Sequence, residues 1–177
     1  MLKKILTYGA IAGVIVGTPL FLMTVTLKAP LPHPWGMVIG YLTMLIALSA
    51  VFIAVKRHRD VELGGVIKFW PALGLGLGIS VVAGLFYVFA WEVAQMVADV
   101  DYIGDMARME LERMRADGAA ADKLSAYAAE MEAFKASYAN PLIRLPLTFV
   151  EIFSVGVLVS LITAALLRNS RFLPARA

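Results

Sequence analysis

The stretch FWPALGLGLGISVVAGLFYVFAW, residues 69–91, decides the fold class of this chain. It contains no charged side chain. A run of about 20 apolar residues is long enough to cross a hydrocarbon core about 30 Å thick as an α-helix. The stretch therefore predicts a transmembrane helix.

Three further apolar stretches, residues 5–27, 36–55 and 145–167, are of similar length. Of the 177 residues, 60% are hydrophobic and 16% are charged, against roughly 45 to 50% and about 25% in soluble domains. We expect an all-α polytopic membrane protein, with residues 1–177 forming a single membrane domain of four spans.

Basic residues near the span ends predict the orientation, because lysine and arginine tend to stay on the cytoplasmic side. They lie at the amino end, between spans two and three, and at the carboxyl end: Lys3, Lys4, Lys56, Arg57, Arg59, Lys68, Arg168, Arg171 and Arg176. Both termini are therefore expected in the cytoplasm, and residues 92–144 outside it.

Residues 92–144 are rich in alanine, glutamate, methionine, lysine and arginine, which favour helix. Asp117 and Gly118 in the middle form a helix stop, since glycine commonly follows a helix cap. The pattern predicts an extracytoplasmic helical hairpin, whose first helix continues directly from span three.

Small residues recur four apart on three spans, a spacing that lets helix backbones approach closely. We interpret these stripes as packing the four helices of one chain together, with contact between chains of a dimer as the alternative. The residues are Gly9, Gly13, Gly17, Gly76, Ser80, Gly84, Gly156 and Ser160.

Glu151 is the acidic residue that lies inside an apolar stretch, about seven residues into span four. A charge at membrane depth is costly and usually faces a partner or a watered cavity. Arg144 lies two turns earlier on roughly the same face, and Glu92 ends span three at the same level. One interpretation is a structural ion pair, most simply with Arg144; the other is a proton or cation site.

Other polar and aromatic features receive ordinary interpretations. Trp35, Trp70 and Trp91 lie at expected interfaces and are assigned to the aromatic belt. The run KRHRD, residues 56–60, is interpreted as an orientation signal that contacts lipid headgroups.

Several classes of chemistry are excluded or disfavoured. The chain has no cysteine and two histidines, His33 and His58, which excludes thiolate sites and nearly excludes zinc. The net charge of +3 comes from residues that flank apolar runs, so nucleic-acid binding is not expected. The sequence offers no catalytic, cofactor-binding or metal-ligating set, and we expect no cofactor and no enzyme.

Five segments resemble a bacterial membrane-protein family catalogued as domain of unknown function 4199. They are YGAIAGVIVG (8–17), GMVIGYLTMLIALS (36–49), GGVIKFWPALGLGLGIS (64–80), EMEAFKASYANPL (130–142) and TFVEIFSVGVLVSLI (148–162). The resemblance implies a four-span protein of the bacterial inner membrane with a helical outer insert. It places Glu151 in a motif position and implies no activity.

Two functions remain open. The first is a non-enzymatic interaction or scaffold protein, which is embedded in the lipid bilayer and uses the outer hairpin to contact a membrane-protein partner or a second copy. The second is a small transporter or ion-coupled channel centred on Glu151.

Overall fold

A computed structural model describes residues 1–28, 30–31 and 34–174 of the chain. His33 and Arg176 lie outside the described residues. Within this part, all regular structure is helical, which confirms the predicted all-α class. The helices are α1 (Leu2–Leu27), α2 (Trp35–Glu62), α3 (Phe69–Ala98), α4 (Tyr102–Ala116), α5 (Ala121–Tyr138) and α6 (Pro141–Leu167).

Helices α1, α2, α3 and α6 are long and apolar enough to cross a membrane. Each contains one predicted span, and α2, α3 and α6 extend several residues beyond it. We call the end of the bundle where α3 leads towards α4 and α6 begins the hairpin end. The opposite end, which carries residue 1 and the link between α2 and α3, is the terminal end.

Helix α3 is the centre of the bundle and packs against α1, α2 and α6. Its contact with α1 follows the first glycine stripe. A Cβ atom at Gly9 would lie 2.5 Å from Val82 Cβ, and one at Gly13 would overlap the Phe86 side chain. Because real side chains do not approach so closely, α1 and α3 can take these positions only with glycine there.

The contact between α3 and α6 uses small residues from both helices. A Cβ atom at Gly156 would lie 2.6 Å from Ser80 Cβ, and one at Gly76 would lie 2.8 Å from Ser160 Oγ. Ser80 and Ser160 are fully buried, and Ser80 Oγ lies 3.0 Å from the Gly76 carbonyl oxygen, to which it donates. The structure thus brings the stripes of spans three and four together within one chain.

The hairpin consists of α4 and α5, and its turn falls at the predicted helix stop. Helix α4 ends at Ala116, and Gly118 has a φ of +76°, a conformation that glycine adopts without steric cost.

The expectation that α4 continues directly from α3 is wrong. Asp99 takes a left-handed conformation with φ 48°, and Asp101 starts a new helix by accepting a hydrogen bond from the Gly104 N–H at 3.1 Å.

The Arg59 side chain lies inside the bundle at its terminal end. It is fully buried, and its guanidinium donates to the carbonyl oxygens of Phe172, at 2.9 Å, and Leu173. It also pairs with Asp60 at 2.6 Å. The headgroup interpretation of residues 56–60 is therefore wrong for Arg59, because the turn after α6 covers it.

Candidate functional site

A cavity of about 160 Å³ lies at the hairpin end, between the four long helices. Pro30 and Leu31, from the link between α1 and α2, and Tyr102, the first residue of α4, bound its outer end. Most of its wall is apolar, from residues Val16, Pro19, Leu20, Met23, Leu27, Ile39 and Met44. Because Glu151 carries the charge on this wall, we call it the Glu151 cavity.

Glu151 is the eleventh residue of α6, so it lies about 15 Å along the helix from its start. It is exposed in the isolated chain and lines the cavity. Tyr87 of α3, which is 7% exposed, directs its hydroxyl towards Glu151 Oε2 at 3.4 Å. The carboxylate thus faces a cavity and a neutral donor.

The expected pairing of Glu151 with Arg144 is wrong. Arg144 donates from Nε to Glu92 Oε1 at 2.7 Å and from Nη2 to Glu92 Oε2 at 2.6 Å. Of the three residues predicted as an ion pair or ion site, the structure brings two together and leaves Glu151 apart. Among the described contacts, Glu151 has no basic partner.

Trp91 belongs to the interior of the bundle and not to the aromatic belt. Trp35 and Trp70 are 65% and 76% exposed, as expected for a belt, but Trp91 is only 7% exposed. Its Nε1–H donates to the Tyr138 hydroxyl at 2.9 Å. The indole ring therefore has a fixed position on the cavity wall.

Tyr102 connects the hairpin to the cavity. Its ring packs edge to face against Trp91, with centroids 5.0 Å apart. Burial raises the pKa of the Tyr102 phenol above its usual value, and the nearby Glu151 carboxylate raises this pKa further. The phenol is therefore neutral at physiological pH and presents an uncharged aromatic ring to the cavity.

An ion pair at the base of the hairpin holds α4 and α5 together next to Tyr102. Lys135 of α5 pairs with Asp101, the residue that caps α4. This contact holds the pKa of Asp101 below its usual value and raises that of Lys135. The outer boundary of the cavity is thus tied to the hairpin.

The polar groups of the Glu151 cavity suit a monovalent cation better than a metal cluster. Across the described ranges, no three histidine, cysteine, aspartate or glutamate side chains lie close enough to hold a metal ion. Thr24 and Thr43 also line the cavity, but each hydroxyl donates to a carbonyl of its own helix, at 2.8 Å. The carboxylate of Glu151 is the group that can balance a positive charge.

Sequence reasoning found Glu151 but missed its neighbours. Tyr87 and Trp91 are four residues apart, so they share a face of α3, and this spacing was the available signal. No sequence pattern predicts that Tyr102 lies at the cavity, because its location depends on the break between α3 and α4.

A family model described as "Protein of unknown function (DUF4199)" matches residues 7–169. No curated protein and no solved structure matches the chain.

Proposed function

The chain belongs to the DUF4199 family, described as proteins of unknown function, and from this premise we propose that it binds and carries a small cation through Glu151. The observation that carries this proposal is a carboxylate that faces an apolar cavity without a basic partner among the described contacts. An uncompensated charge at membrane depth costs several kcal/mol. A bound cation would offset that cost.

The surroundings of Glu151 support a role in cation binding over a role in a structural ion pair. Arg144, the arginine nearest in sequence, is engaged by both oxygens of Glu92. The pair between α3 and α6 is therefore complete without Glu151. A structural carboxylate at this depth would be expected to have such a partner.

We further propose that both termini lie in the cytoplasm of a bacterium and that the hairpin lies outside its inner membrane. The support is the set of basic residues at the terminal end, among which Lys3, Arg57 and Arg168 are exposed. In this orientation the Glu151 cavity receives its cation from outside the cell. The role is non-enzymatic.

Uptake by the full-length protein in liposomes tests this function. Vesicles would be offered sodium, a proton gradient or tetramethylammonium, and we expect at least one cation to be taken up by the natural protein and not by Glu151→Gln. Asp99→Asn is the matched control, since it removes an exposed carboxylate outside the cavity. The proposal is overturned if Glu151→Gln takes up every cation as well as the natural protein does. It is also overturned if the natural protein takes up none of them.

A second candidate is the interaction role of the hairpin. Neither α4 nor α5 contains a buried residue, and within the described chain the hairpin packs on itself and reaches the bundle only at its base. We propose a second copy of the chain as its partner. Helix α4 carries three acidic and three basic residues, so two identical faces related by a two-fold axis can oppose unlike charges.

Charge reversal tests this self-association. The change of Arg108 and Arg115 to glutamate should weaken a dimer, as measured by native mass spectrometry of the full chain. A second variant, with Glu110 and Glu112 changed to arginine, should restore pairing when mixed with the first. A monomeric natural protein, or no recovery on mixing, rejects this partner.

A further inference from the structure

The walls of the Glu151 cavity indicate which class of cation it accepts. We infer that the ligand is a small organic ammonium ion, such as a quaternary ammonium or a protonated amine, and not a metal ion. This inference rests on the proposed function and names its substrate class. Three observations carry it: the aromatic side chains, the presence of a single carboxylate among the described lining residues, and the volume.

Three aromatic side chains lie on the same cavity wall as the carboxylate. Tyr87, Trp91 and Tyr102 all line the cavity together with Glu151. The faces of such rings attract cations, most strongly for tryptophan. An ammonium ion with apolar substituents gains from these rings and from the carboxylate at once.

Two of the rings are fixed in place before any ligand binds. Trp91 is held by the hydroxyl of Tyr138 at 2.9 Å, and Tyr102 packs on Trp91 at 88° between ring planes. The Tyr87 hydroxyl points at Glu151. Because the groups are already ordered, little conformational entropy is lost when a ligand enters.

The same wall provides a poor coordination site for inorganic cations. Calcium takes six to eight oxygen ligands and magnesium requires an octahedral set, whereas the described residues of this wall offer one carboxylate and a few neutral hydroxyls. A strongly hydrated ion would lose its water against apolar side chains such as Val16, Leu20 and Met44. An organic ammonium ion loses far less hydration.

The volume limits the size of the ligand. The cavity measures about 160 Å³, and a cavity of about 150 Å³ accommodates a benzene molecule. A ligand of about six heavy atoms therefore fits without displacement of the helices. Tetramethylammonium, which has five heavy atoms and a spherical apolar surface, is the simplest probe.

Binding of tetramethylammonium to the full-length protein in nanodiscs tests the inference, with calorimetry as the main readout and tryptophan fluorescence of the Trp35→Phe, Trp70→Phe variant, which retains only Trp91, as the second. The uncharged tert-butanol, which has a similar shape, and sodium at equal ionic strength are the ligand controls. We expect saturable binding of tetramethylammonium, at least tenfold weaker binding of tert-butanol, and no saturable response to sodium.

Variants separate the charge from the rings. Glu151→Gln should weaken tetramethylammonium binding at least tenfold. Tyr102→Leu should weaken it about threefold to tenfold, which corresponds to about 0.7 to 1.4 kcal/mol, whereas Tyr102→Phe should stay within about twofold because it keeps the ring. Trp70→Phe, at an exposed position, should leave the affinity for tetramethylammonium unchanged.

The outcomes distinguish this inference from the proposed function. A response to sodium or protons that depends on Glu151, without tetramethylammonium binding, overturns the organic class and leaves the cation function standing. Equal binding of tert-butanol, or equal affinities of Tyr102→Leu and the natural protein, also overturns the class. No response of any cation to a change at Glu151 overturns both.

Discussion

Arg144 and Glu92 join α6 to α3 through two parallel hydrogen bonds, Nε to Oε1 at 2.7 Å and Nη2 to Oε2 at 2.6 Å. Both side chains are about three-quarters buried or more. This bidentate geometry is the strongest form of an arginine–carboxylate contact. It settles which acidic residue neutralises Arg144 at the hairpin end, and it leaves Glu151 for the cavity.

A double-mutant cycle should find Arg144 coupled to Glu92 and not to Glu151. Arg144→Gln and Glu92→Gln should each destabilise the protein in detergent, and the double variant should recover part of the loss. We expect a coupling free energy of about 0.5 to 3 kcal/mol. Losses from Arg144→Gln and Glu151→Gln should instead add, and coupling between those two would contradict the pairing seen here.

Gly13→Leu should separate α1 from α3 and lower the yield of folded protein. A side chain at this position overlaps Phe86, and overpacking costs about 1 to 3 kcal/mol. Gly74→Leu is the matched control, because no atom lies within 4 Å of its added Cβ. Size-exclusion yield and thermal unfolding measure the effect, and equal behaviour of the two variants would refute the packing argument.

Arg59→Met should destabilise the terminal end. The change leaves the carbonyls of Phe172 and Leu173 without their donor, whereas Asp60 keeps its ion pair with Lys56. A buried acceptor left unsatisfied costs about 1 to 3 kcal/mol. Faster hydrogen exchange in residues 168–174 is the local signature. Arg57→Met, at an exposed position two residues earlier, should leave stability and exchange nearly unchanged.

The base of the hairpin should loosen in acid. Because the pKa of Asp101 is lowered in the folded state, its ion pair with Lys135 contributes full stability above the ordinary aspartate pKa of about 3.9. This contribution is lost as pH falls through the lowered pKa. Exchange protection of Gly104 and Asp105, corrected for intrinsic rates, should fall below about pH 4.

Variants of Asp101 separate the cap from the ion pair. Asp101→Asn keeps an oxygen for the Gly104 N–H and should remove the pH dependence while α4 stays capped. Asp101→Ala should also lose the cap, at a cost of about 1 kcal/mol. A pH dependence that persists in Asp101→Asn would show that another group controls the hairpin.

Labelling of single cysteines tests the orientation. Ala120 in the hairpin turn and Ser170 after α6 are both exposed, and the chain has no natural cysteine. In intact spheroplasts, an impermeant maleimide should react with Ala120→Cys and not with Ser170→Cys. The opposite pattern would place the hairpin, and with it the mouth of the Glu151 cavity, in the cytoplasm.

The sequence by itself determined the four long helices, the hairpin turn and the family. These features are local: about 20 apolar residues define a span, and a positive φ after α4 calls for the glycine at position 118. The break before α4 was missed, since Asp99 takes its left-handed conformation without a glycine to mark it.

Only the tertiary structure decided which polar groups meet. Arg144 and Glu151 are seven residues apart on one helix, which separates them by a rise of about 10.5 Å, so sharing a face did not make them partners. Glu92 became the partner of Arg144, and Tyr87 that of Glu151, through the axial offset and rotation of α3 against α6. Arg59 is buried under the turn that follows α6, and the Glu151 cavity lies between the four long helices. Sequence periodicity gives the face of each helix, but the relative displacement of two helices comes from the close contacts of small residues between them.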